Sequence, residues 1–274
     1  MPGTAFTPPP SFTTRPTLRG TFGMSATTHW IATACAQSVL ERGGNAFDAA
    51  VAAGFVLHVV EPHLNGPGGD LTAVFATAED PTPVVLMGQG PAPAGATRER
   101  YLAEGLELVP GSGALAAAVP GAVDAWFLLL RDHGTWELSD ALAHAIGYAR
   151  DGHPALGRVG ATVAQVAQLF TDHWPTSAAL WMPRGRPPRE DELIRNEAYA
   201  RTLERLVAAG REPGVADDRV ARIDAARRAW SEGFVAEAVA ASAARPHRHS
   251  DGADHAGVIT PGTSPRSGPA TSPP

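Results

Sequence analysis

The chain has no lysine, and all 22 of its basic residues are arginine. We read that as GC-rich codon use, a property of a genome and not of a mechanism. It has a single cysteine, Cys35, which excludes a disulfide within the chain. Cys35 falls on the inward face of a predicted helix, where a reactive thiol is not expected. Nowhere does an apolar run approach the roughly eighteen residues of a membrane span. Met1 to Pro16 is rich in proline and threonine and lacks an apolar signal core, so a cytoplasmic location is the expectation. The arginines form no strong basic cluster and the formal charge is −6, which argues against nucleic acid as a partner. The nearest thing to a cluster, Arg184 to Arg189, reads as a solvated turn. What remains is an ordinary globular composition: 274 residues, 44% hydrophobic, enough for one large or two modest domains with a true core.

The most informative stretch runs from Gly20 to Phe75. Ile31, Ala34, Cys35 and Val39 recur at helical spacing, and Gly43-Gly44 sits where a helix end favours a left-handed residue. Asn45 then suits an N-cap, with Asp48 at the third helical position facing the orphan amides. Ala49 to Val60 is apolar on nearly every side, which predicts a buried helix close-packed through its alanines. Glu61-Pro62 stops it, because the residue before proline is pushed out of the α region. Next comes a loop holding Gly66, Gly68 and Gly69, glycines expected to permit backbone angles closed to other residues, and then a strand, Leu71 to Phe75. Such a loop is either a tight packing corner or a set of amides aimed at a substrate anion. It fits neither a phosphate loop, since no GK[ST] follows, nor a dinucleotide fingerprint, since a strand and not a helix comes after it.

Further along, Pro83 to Leu86 predicts a second strand paired with the first, followed by an extended connection and a helix starting at Ala96 or Thr97. Val119-Pro120-Gly121 places proline at the first turn of a helix that ends at Asp132-His133-Gly134. Helical patterns follow over Ser139 to Arg150, Val159 to Phe170, Glu197 to Ala209, and Arg219 to Ala244 with a break at Gly233.

These landmarks resemble the gamma-glutamyltransferase family of N-terminal-nucleophile hydrolases. The stretch from Gly20 to Phe75, the run Ala92-Pro93-Ala94-Gly95-Ala96-Thr97, Val119-Pro120-Gly121, Ala149 to Gly152 and Gly233 to Glu237 match family features in the same order. The likeness spans about Thr14 to Ile259 and is strongest before residue 70. It implies an α+β chain: the large-subunit portion of the four-layer αββα fold, helix-rich and incomplete without the small subunit. It also implies amide hydrolysis or acyl transfer through a threonyl ester, with no metal or other cofactor. The substrate would be a gamma-glutamyl compound or another amide, and the partner a small subunit carrying the nucleophile. The expected organisation is a flexible segment over residues 1–14, a family domain over 15–259 and a disordered tail over 260–274, where proline, serine and glycine leave almost nothing to bury.

Two departures matter. Characterised members of the family carry an arginine three residues before the Ala-Pro-Ala, which binds the substrate α-carboxylate as a bidentate pair. This chain has Gln89 there. A neutral amide would weaken recognition of a free carboxylate by about 1.5–3 kcal/mol, which favours a different acyl group; equally, Gln89 is a plain loop residue bonding the backbone of Gly88 and Gly90. Gln89, Gly66, Gly68 and Gly69 are the candidate substrate-binding residues. Second, the family's Thr-Thr-His-x-Ser motif, whose freed threonine acts as both nucleophile and base, is expected well beyond residue 274. Thr27-Thr28-His29-Trp30 imitates it, but a helical run follows where a strand is required, so Thr27 or Thr28 reads as a helix N-cap. No catalytic residue is therefore assigned, and the chain by itself is expected to be inactive. The change of composition near Thr260 is what a reading-frame change or a genuine stop in a split gene would produce. Two other readings stay open: a non-catalytic pseudoenzyme or binding subunit, and an amidohydrolase or acylase of the same superfamily acting on another acyl group.

The remaining constellations have plainer readings. His247, His249, His255, Asp251 and Asp254 lack the fixed spacing of a metal site and read as a solvated tail. His58 and His63 read as packing and capping residues, and Trp126, Trp136, Trp174, Trp181 and Trp230, spread over separate elements, as core anchors.

Overall fold

The computed structural model describes residues 18–261 and 270–272. The segment 1–14 and most of 260–274, both expected to be unstructured, lie outside the described residues. The helices are α1 (Trp30–Glu41), α2 (Ala46–Val60), α3 (Arg98–Ala103), α4 (Ala122–His133), α5 (Leu138–Asp151), α6 (Gly157–Asp172), α7 (Pro175–Trp181), α8 (Glu197–Ala209), α9 (Arg219–Ser231) and α10 (Phe234–Ala243). The strands are β1 (Leu71–Phe75), β2 (Val84–Gly88), β3 (His153–Pro154), β4 (Leu193–Ile194), β5 (Pro246–Arg248), β6 (Asp254–Ala256) and β7 (Ala270–Ser272), with a short 3-10 turn at Ala114–Ala116.

Helix α2 is the axis of the molecule, and its sequence explains why. Alanine and glycine positions let α1, α4 and α5 come close, and Val51, Ala52, Phe55, Val56 and Val60 lose all contact with water. Gly54 faces Trp126 of α4 so closely that a Cβ would lie 2.5 Å from the indole. The start of α2 is fixed as expected: the Asn45 side chain accepts the amides of Phe47 and Asp48 while Asp48 reaches back to the Asn45 amide, a complete capping box. Asp48 does more than the spacing foretold. Fully buried, it also accepts the Thr135 and Trp136 amides and the Thr135 hydroxyl, tying α2 to the α4–α5 connection. Helix α8 packs on α5, and α9 packs on both α4 and α8. Arg219 of α9 donates to the carbonyls of Leu130, Arg131 and Trp136, satisfying the open C-terminal end of α4.

Strands β1 and β2 form an antiparallel hairpin in which Leu71 pairs with Gly88 and Phe75 with Val84. Leu71, Ala73, Phe75 and Leu86 face the helices, and at the join Phe47 stacks on His133 while Phe75 meets both rings edge to face. Thr72, Val74 and Met87 lie on the other face, exposed. β7 pairs antiparallel with β2, giving the order β1-β2-β7. That short strand falls inside the stretch expected to be unfolded. Sheet pairing uses backbone groups, so a segment with little to bury still completes a ladder at an open strand edge.

Several boundaries differ for identifiable reasons. β2 ends two residues later than predicted, because its register with β1 extends to Gly88. Helix α4 begins at Ala122 with Gly121 as N-cap, so Pro120 precedes the helix; the Gly121 and Ala122 amides both donate to the Gly69 carbonyl. The N-cap of α1 is His29, whose Nδ1 accepts the Ile31 amide at 3.1 Å. Neither threonine serves as that cap. Thr27 bonds the His29 carbonyl and Thr33, and Thr28 donates to the buried Glu61 carboxylate. Cys35 is buried as expected, its thiol pushed up to about 12 by loss of water.

Candidate functional site

Three segments meet at one corner of the fold: the 66–69 loop, the end of β2, and the entry to α4. The Gly69 amide closes a turn on the Gly66 carbonyl at 3.0 Å, and the Gly69 carbonyl then receives the first two amides of the α4 entry. The Val119 amide donates to the Pro91 carbonyl at 3.0 Å. Between these bonds the 88–90 backbone lies flat on 119–121.

Glycine makes this contact, but not the glycines singled out from sequence. Gly66, Gly68 and Gly69 are absent from the positive-φ residues, so their expected special backbone angles are not found; a Cβ on Gly66 or Gly68 would meet only open space. The tight positions are Gly88, Gly90 and Gly121. A Cβ at Gly90 would sit 1.5 Å from the Val119 carbonyl oxygen, and one at Gly121 would sit 2.3 Å from that of Gly88. The signal for them was in the sequence, as a Gly-x-Gly directly after a strand and a Pro-Gly directly before a helix.

Gln89 sits between the two tight glycines and is exposed. Among the described residues its amide makes no hydrogen bond, so it does not bridge Gly88 and Gly90 as a loop residue would. Gln89, Gly68 and Gly69 are thus brought to one accessible corner, beside amides whose hydrogen bonds hold it rigid. Thr28 is not part of it; its hydroxyl is held by Glu61 and α1 follows at once. A separate groove of about 720 Å³, lined by Met24, Leu40, Ala50 and Trp126 among others, contains none of the candidate residues.

The histidines expected in a solvated tail are ordered. β5 and β6 form a hairpin in which His249 and His255 are buried, with every ring nitrogen bonded to protein. Backbone pairing between 246–248 and 254–256 supplies the order that the polar composition concealed. His58 is a packing residue: it bonds the Tyr199 hydroxyl at 3.0 Å, and burial lowers its pKa to about 4. Arg184 and Arg186 both pair with Glu192, as a surface turn does.

A helix-rich chain with a small antiparallel sheet covered on one face is the large-subunit portion of the N-terminal-nucleophile hydrolase fold, and a solved gamma-glutamyltranspeptidase superposes on it with a TM-score of 0.77. Residues 32–254 match the family model described as gamma-glutamyltranspeptidase. The chain belongs to that family. The solved LmbA2991HD structure is 52% identical with a TM-score of 0.91, covering 96% of this chain and 45% of its own. The glutathione hydrolase-like YwrD proenzyme of Bacillus subtilis (strain 168) is 32% identical over 74% of this chain and 38% of its own length. The oxamate amidohydrolase proenzyme of Klebsiella pneumoniae is 34% identical over 69% of this chain and 36% of its own. The chain therefore spans less than half the length of LmbA2991HD and of these two proenzymes.

Proposed function

We propose that this chain is the large-subunit portion of an enzyme that hydrolyses an amide or transfers its acyl group, and that the threonine nucleophile is supplied by a small-subunit portion. The chain by itself is inactive in this reading. Gln89, Gly66, Gly68 and Gly69 face the acyl group, and Gln89 supplies hydrogen bonds without charge. The observation that carries the reading is the position of Gln89: exposed, unbonded, and fixed in place by the glycine contact between residues 88–90 and 119–121. A free amide on a backbone so held is suited to touch a ligand, and its neutrality suits an acyl group lacking a free α-carboxylate. The likeness to an oxamate amidohydrolase, whose name describes a non-glutamyl amide, supports that choice over glutathione.

The test joins this chain to the remaining portion of a full-length family member and compares glutamyl anilides with other amides. The chain alone should show no turnover, and the joined protein should prefer the non-glutamyl amide. Gln89→Arg should raise glutamyl kcat/KM about 10- to 100-fold, the equivalent of one charged hydrogen bond. No gain would remove the charge argument, and no turnover of any amide would leave a non-catalytic binding subunit.

A further inference from the structure

The β5–β6 hairpin grips the stretch that leads into the candidate site. The Ser250 hydroxyl accepts the Gly111 amide at 2.8 Å. His249 Nε2 accepts the Leu115 amide at 2.9 Å, and the Tyr101 hydroxyl donates to the Leu115 carbonyl at 2.9 Å. Gly113, at φ 96°, lies so close to the His249 ring that a Cβ would stand 2.5 Å from it. Gly257 packs equally closely on the Ala114 backbone and donates to the Ala243 carbonyl. Four residues beyond Leu115 is Val119, whose carbonyl rests on Gly90.

The hydrogen bonds fix the protonation of both rings. His249 accepts at Nε2, so its one proton is on Nδ1, which donates to the His247 carbonyl at 2.6 Å. His255 faces a carboxylate at each nitrogen, Glu104 at 3.0 Å from Nδ1 and Asp251 at 2.8 Å from Nε2. Ionised carboxylates only accept, so both nitrogens must donate and the ring is an imidazolium. The two rings meet edge to face at 5.2 Å, one neutral and one charged.

We propose that the hairpin is a proton-dependent clasp: it holds residues 104–119, and with them one wall of the candidate site, only while His255 carries two protons. The surrounding charges agree. Glu104 is also paired with Arg100 of α3, Asp254 is paired with Arg248 across the hairpin, His247 bonds the Ser242 carbonyl, and His173 at the end of α6 lies near Asp254. The Glu104 and then the Asp251 hydrogen bonds raise the pKa of His255; the contact with His255 lowers that of Glu104, and the Ala253 amide and then His255 lower that of Asp251. A raised histidine contributes its stability fully below its unfolded value of about 6.5 and loses it as pH climbs through the folded value. The clasp therefore opens on the alkaline side. This inference is independent of the acyl-transfer reading.

Hydrogen exchange read by mass spectrometry on the chain from pH 6 to 9, corrected for intrinsic exchange, tests it. Protection of residues 104–119 should fall with rising pH while α2 stays protected. In His255→Gln that protection should be at least tenfold lower at pH 6 and flat with pH. In Glu104→Gln the midpoint should move to lower pH. Protection of 104–119 that is independent of pH in the unaltered chain, or unchanged in a folded His255→Gln, overturns the proposal. If His255→Gln loses α2 protection as well, the Glu104→Gln midpoint decides: a shift supports the clasp and no shift overturns it.

Discussion

At the scale of single residues, contact with a neighbour decides what a substitution costs, and glycines make the contrast plain. Gly66→Ala places a methyl group in open space at a backbone angle alanine accepts, so stability should change by less than about 0.5 kcal/mol. Gly90→Ala drives the same methyl group into the Val119 carbonyl and should cost about 1–3 kcal/mol or more. Urea denaturation of the two variants measures the difference, and equal midpoints would refute the backbone contact as the reason for Gly90. Asp48→Ala strips partners from the Asn45, Thr135 and Trp136 amides and the Thr135 hydroxyl. It should lose about 3 kcal/mol or more, because buried donors are left unsatisfied. A loss under about 1 kcal/mol in the same titration would mean that water replaces the carboxylate.

At the scale of elements, buried histidines tie helix and strand packing to pH. Burial holds His58 on α2 and His153 on β3 to pKa values of about 4. The unfolded chain titrates these rings near 6.5, so between about pH 6.5 and 4 it binds more protons than the folded chain, and stability falls with falling pH. Each ring accounts for a loss on the order of 3 kcal/mol across that window. His255 acts in the opposite sense above it, so the stability maximum should lie near neutral pH. Unfolding free energies measured from pH 4 to 9 check both limbs, and His58→Gln should flatten the acid limb. Tyr199→Phe, which removes the hydroxyl bonded to His58, should destabilise by about 1–3 kcal/mol at neutral pH. Most long helices were legible from apolar periodicity, and α8 matches its expected span from Glu197 to Ala209. The β5–β6 hairpin and the paired residues of β3 and β4 were not. Strands of two or three residues carry no period, and what holds them is pairing across the turn or with a distant segment.

At the scale of the whole molecule, the sheet has one face on the helices and one face open. Val74 is 69% and Met87 40% exposed on neighbouring strands, and β1 is an edge among the described residues. An apolar face beside an unpaired edge promotes association. The chain should self-associate at micromolar concentration in size-exclusion chromatography with light scattering, and Val74→Asp should shift it toward monomer; an unaltered elution profile would show that this face is not the contact. By itself the sequence determined the family, the buried α2 with its capping box, the β1–β2 hairpin and the absence of an arginine at position 89. These follow from local order: period, caps and short motifs read from neighbouring residues. Tertiary structure alone decided which glycines are indispensable, that Asp48 joins α2 to the α4–α5 connection, and that His249 and His255 form a clasp. Those properties depend on which distant backbone comes within van der Waals or hydrogen-bond reach, and that distance is set only when the chain has packed.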